Sequence, residues 1–136
     1  MSITIYTDGG SRGNPGPAGA GVVMYDGTRK IAELKRFLGE KQTNNWAEYE
    51  ALILALQEAK KRGFAGRTIE VRMDSELIVR QMENKYQIKE ETLWPQYMKV
   101  HNLLVAHFPD VNFTHIPRER NKEADALVKE AIDEAM

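Results

Sequence analysis

Twice in this chain a short apolar strand pattern runs into an aspartate, and that repetition narrows the available folds more than any other feature. Residues 3–8, ITIYTD, alternate apolar and polar side chains up to Asp8, and Gly9-Gly10 follows as a turn signal. Residues 68–74, TIEVRMD, set Ile69, Val71 and Met73 on one face and stop at Asp74, before a helical stretch over 75–84. Between these two segments, residues 11–21 are rich in glycine and proline and read as a tight loop, and 22–26 and 30–38 read as strands joined around Gly27. Residues 43–62 follow with the strongest helical spacing, carried by Trp46, Leu52, Ile53, Ala55, Leu56 and Ala59 and stopped by Gly63. Beyond a polar loop at 85–92, the pattern predicts a helix around Pro95 (93–108), a strand stopped by Pro117 (111–116), and a helix over 122–135 with Asn121 as its cap. Strands first, then strand and helix alternating, imply an α/β fold: one mixed sheet with helices packed on its faces.

A chain of 136 residues fits a single domain, here 1–136, and is long enough to bury a core unaided. It contains no cysteine, which excludes disulfides and thiolate metal sites and suits a reducing, cytoplasmic setting. The first residues break into glycine and charge too soon for a signal peptide, and no apolar run reaches the length of a membrane span, so no membrane partner is expected. Nineteen basic residues against twenty acidic ones leave a formal charge of −1. A phosphate-rich partner would then have to be held by local basic clusters and metal ions rather than by bulk charge.

Four carboxylates stand where carboxylates are costly. Asp8 and Asp74 each end an apolar strand, and parallel neighbours in such a sheet bring those ends together, where ligand sites form. Glu48 shares a helix face with Leu52 and Ala55, and Asp125 shares one with Val128 and Ile132, so both are expected to turn inward. Each acid alone has a bland explanation, as a turn opener or a partner of the helix dipole. Clustered, they cost several kcal/mol unless a cation neutralises them, and hard oxygen donors suit magnesium or manganese. Two such ions can activate water and stabilise the leaving oxygen in attack on a phosphodiester.

The segments YTDGGSRGNPGPAGAG, TNNWAEYEAL, MDSELIV and NKEADAL occur in order across residues 6–127. Together they resemble the type 1 ribonuclease H family, in a short, archaeal-like form. The resemblance implies a ribonuclease H-like five-stranded sheet, three antiparallel strands plus two parallel, flanked by helices. It implies an endonuclease that hydrolyses the RNA strand of RNA/DNA hybrids with two metal ions and leaves 3′-hydroxyl and 5′-phosphate ends. Asp8, Glu48, Asp74 and Asp125 then correspond to the metal-binding acids. Gly9, Asn14, Thr43, Asn44 and Asn45 correspond to the hybrid-binding segments, where amides can bond 2′-hydroxyls in the minor groove. Double-stranded RNA is a second candidate substrate because it shares A-form features. A monomer is expected. A catalytically weak hybrid-binding module is the alternative, which a missing acid would have favoured.

The sequence departs from many relatives in two places. The basic insertion after the second helix is absent, since residues 84–94 are short and near neutral. The loop histidine before the last aspartate is also absent: the loop reads IPRERNKEAD, and His115 belongs to the fifth strand by pattern. Arg118 stands in the shortened loop. An arginine cannot serve as a base near neutral pH, so its expected role is to hold a phosphate or stabilise developing charge. His101 and His107 lie away from every motif.

Overall fold

The computed structural model describes residues 2–136. One sheet of five strands has the order β3-β2-β1-β4-β5. Strands β1 (Ile3–Ser11), β2 (Gly16–Asp26) and β3 (Arg29–Gln42) pair antiparallel, while β4 (Ile69–Met73) lies parallel to β1 and β5 (Val111–His115) parallel to β4. The helices are α1 (Asn44–Lys61), α2 (Glu76–Met82), α3 (Trp94–His107) and α4 (Lys122–Ala135). Short 3-10 turns at Glu91–Leu93 and Arg118–Arg120 lead into the last two. The five-stranded mixed sheet is therefore the one implied by the resemblance.

Helix α1 starts where Thr43 Oγ1 accepts a hydrogen bond from the Trp46 amide at 3.2 Å, and it is apolar on nearly every side from Ala51 to Leu56. Such a helix must be covered all round. It lies on β1 and β2 with α3 packed over it, and Tyr49, Leu52 and Leu56 meet Ile5, Val22, Met24, Val71, Val100 and Phe108 in the main core. Truncating one such leucine typically costs about 2–5 kcal/mol, so this core fixes where the start of α1 sits against the sheet. Helix α4 packs chiefly on β2, with β3 and β1 beside it, through a smaller cluster of Val23, Ala124 and Leu127. Ion pairs brace it at the surface, including Lys35 to Glu134 at 2.6 Å and Arg12 to Asp133 at 2.6 Å.

Two expectations fail near the glycines. Strand β1 does not end at Asp8; it continues through Gly9-Gly10 to Ser11, because β2 stays paired with it as far as Ser11 opposite Ala18. Most of the expected loop at 11–21 is strand β2, and only residues 12–15 turn. The glycines are there for α4: a Cβ on Gly21 would lie 2.3 Å from the Ala124 carbonyl oxygen, and one on Gly19 would lie 2.9 Å from that of Val128. The helix rests directly on strand backbone.

Candidate active site

The parallel ladder between β1 and β4 stops at Thr7 opposite Met73. Beyond that pair the strands lead into Asp8 and Asp74, so adjacent strands deliver two acids to one end of the sheet. Asp74 precedes Ser75, whose Oγ accepts from the Ile78 amide and starts α2. Glu48 arrives from the first turns of α1, as its apolar spacing predicts. Its Oε1 accepts a 2.8 Å hydrogen bond from the Gly9 amide. That bond needs the bare backbone of Gly9, because a Cβ there would lie 2.2 Å from the Ala47 carbonyl oxygen. One oxygen each from Asp8, Glu48 and Asp74 falls within 4.8 Å of the others.

Two of these acids are poorly solvated as well as close to the third, Asp74, which is half-buried. Asp8 and Glu48 are each 7% exposed. Burial, then the charges of Asp74 and Asp125, push the Asp8 carboxyl up to about 8, against an ordinary 3.8. Burial, then Asp8 and Asp74, raise Glu48 well above the usual carboxylate range, with the Gly9 amide opposing. Burial raises Asp74 as well, while hydrogen bonds from its neighbours and the charge of Arg118 pull the other way. Three hard oxygen donors held against their mutual repulsion are the donor set a divalent cation relieves.

Asp125 stands a little apart from the other three acids. It shares the pocket-facing side of α4 with Val128 and Ile132, but its side chain is 22% exposed and stands at the rim, outside the close group of three. Its charge helps to raise the Asp8 carboxyl. Two cations attend Asp125: Lys129 Nζ at 3.1 Å, one turn along α4, and Arg118 at 4.0 Å from the 3-10 turn. Arg118 is 79% exposed and lines the same pocket as the acids, whereas His115 does not.

The other expected binding residues surround the turn at 12–15. Asn14 Oδ1 accepts from the Asn44 amide at 3.0 Å, and Asn44 Oδ1 accepts from the Ser11 amide at 2.8 Å, so the turn and the start of α1 hold each other. Asn44 lines the acid pocket; Thr43 caps α1, and Asn45 turns to Glu90 with a 3.1 Å hydrogen bond. Among these, the structure brings Gly9 and Asn44 to the acids and leaves Asn14, Thr43 and Asn45 on the adjoining surface. Sequence reasoning missed Arg12 and Lys129, which also line the pocket; the i, i+4 spacing of Asp125 and Lys129 was a readable signal for the second. It placed Asn121 correctly at the start of α4, though the Asn121 side chain makes no cap hydrogen bond there. His101 stacks on Tyr97 in α3, away from the acids.

A family model described as reverse transcriptase-like matches residues 6–131. The chain is 42% identical to a bifunctional protein of Mycobacterium tuberculosis across 99% of its own length, but it spans only 36% of that relative. A ribonuclease HI of Halobacterium salinarum is 44% identical over 98% of this chain and 65% of the relative. The crystal structure of LC11-RNase H1 in complex with an RNA/DNA hybrid superposes with a TM-score of 0.94 at 50% identity, covering 98% of both chains.

Proposed function

The chain belongs to the type 1 ribonuclease H family, and on that footing we propose that it is an endonuclease hydrolysing the RNA strand of RNA/DNA hybrids to 3′-hydroxyl and 5′-phosphate ends. The observation that carries this reading is the close trio of Asp8, Glu48 and Asp74 at the end of the parallel ladder, the first two buried and the third half-buried, with Asp125 beside it. Divalent-metal dependence comes with the family, and the donor set fits it. In our reading two magnesium or manganese ions are held by these four acids. When bound, such ions supply Lewis-acid activation of water and stabilisation of the leaving oxygen in an in-line displacement.

The chain's own side chains divide the remaining work. Glu48 is held by the Gly9 amide, so its carboxylate needs no reorientation on binding. Asn44 and Asn14 present a rigid, mutually bonded edge beside the acids, suited to the 2′-hydroxyls and backbone of a hybrid's minor groove. Arg118 is exposed enough to swing toward a phosphate beside Asp125. Double-stranded RNA shares the A-form groove and is the second candidate substrate; the working unit is a monomer. No helix among the described residues is long and apolar enough to cross a membrane.

The test is cleavage of labelled RNA/DNA, RNA/RNA and DNA/DNA duplexes with magnesium, manganese or chelator. Metal-dependent cutting of the RNA strand of the hybrid, with 5′-phosphate products, is the expected result. Hybrid binding without cutting in either metal would overturn the reading and leave a binding module.

A further inference from the structure

Asn121 sits where the sheet forks. Strands β1 and β4 part after Thr7 and Met73, and the Asn121 side chain, 1% exposed, closes the gap. Its Nδ2 donates to the Thr7 carbonyl oxygen at 2.9 Å, one residue before Asp8, and the same amide bears on Asp74, favouring its charged form. One amide thereby holds the backbone that carries Asp8 while it favours the charged carboxylate of Asp74. Its place immediately before α4 suits a helix cap, yet it makes no cap hydrogen bond, and its Oδ1 has no partner. For stability alone this is a poor use of a buried asparagine. The donor end accounts for what the acceptor end forgoes.

We propose that Asn121 is a positioning residue for the cation site, setting the separation of Asp8 and Asp74 so that their oxygens form one binding surface. The proposal rests on the reading of Asp8, Glu48 and Asp74 as metal ligands. Without the amide, Asp74 can rotate away from Asp8 and relieve their repulsion, and a cation must then draw it back. The backbone of Asn121 would be untouched: its amide still donates to the Arg118 carbonyl oxygen at 3.0 Å and holds the 3-10 turn.

The experiment titrates magnesium by calorimetry into the wild-type chain, Asn121→Ala, Asn121→Ser and Asp8→Asn, without nucleic acid, and follows with steady-state cleavage of the hybrid. Outer-shell partners of metal ligands typically contribute roughly 10- to 100-fold in affinity. Asn121→Ala is expected to lose magnesium affinity in that range and to lower kcat, with KM for the hybrid nearly unchanged and activity partly restored by excess magnesium. Asn121→Ser gives α4 a capping hydroxyl, so it should melt higher than Asn121→Ala while keeping the weak magnesium affinity. A merely structural role would move melting and affinity together. Wild-type affinity in both variants, or affinity restored in the serine variant along with stability, would overturn the proposal. If Asn121→Ala does not fold, the serine variant alone decides. A wild-type chain that binds magnesium no better than Asp8→Asn would instead overturn the underlying reading of the acids.

Discussion

Replacing Asp8 with asparagine should stabilise the metal-free protein while abolishing cleavage, and the size of the gain should depend on pH. The folded chain holds the Asp8 proton up to about pH 8, whereas an ordinary aspartate releases it near 3.8. Between those values the native state binds more protons than the unfolded one, so stability falls as pH rises through that window. At about 1.36 kcal/mol per pH unit, the cost reaches roughly 4 kcal/mol by pH 7 if Asp8 bears it alone. Asp74 and Glu48 share the repulsion, so the amide should recover about 1–3 kcal/mol at pH 7 and almost nothing at pH 4. Urea unfolding in chelator, followed by the fluorescence of Trp46 and Trp94, measures this at pH 4.5, 6 and 7.5. Magnesium at a hundred times its Kd should close or reverse the gap, since it adds about 2.7 kcal/mol to the wild type alone. Equal or lower stability of Asp8→Asn at pH 7.5 in chelator, or a gap that ignores pH, would refute the account of the buried acids.

Arg118→Ala should lower kcat by more than it raises KM, because a side chain poised beside Asp125 acts on charge that develops during the chemical step; steady-state kinetics that single out His115→Ala as the more damaging change would reassign the role. Gly21→Ala should cost about 1–3 kcal/mol in urea unfolding and should also reduce cleavage, because its Cβ meets the Ala124 carbonyl oxygen and pushes away the helix that carries Asp125; unchanged stability would show that α4 yields freely.

The acids were legible in the sequence because each sits against a periodic apolar pattern, which fixes its direction before any partner is known. Glu48 illustrates this: its register with Leu52 and Ala55 places it inward, and the structure puts it there at 7% exposure. Asp125 was legible only in part, because the edge of an apolar stripe and its centre look alike in one dimension, and the distinction lies in Lys129 one turn away. Residues 16–21 misled because glycine and proline ordinarily mark a turn. Here glycine answers to a helix more than 100 residues later, and no local pattern records that contact. Asn121 was legible as the residue that starts α4 but not in what its side chain does: local chemistry offered a helix cap, and the actual partner, the Thr7 carbonyl, is remote in sequence.

The hydrogen bond from Asn121 to Thr7 spans 114 positions, which gives the active site a chronology. Strand β1 leaves the ribosome well before α4, and its acid remains one wall of an unfinished pocket until the segment that carries Asn121 and Asp125 has been synthesised and has docked. Contacts this distant in sequence form late, since the intervening chain must be ordered before they repay its entropy. A nascent or C-terminally shortened chain can therefore build much of the main core around α1 while lacking both the clip and the rim acid. On the function proposed above, competence to cut a hybrid would await the docking of α4.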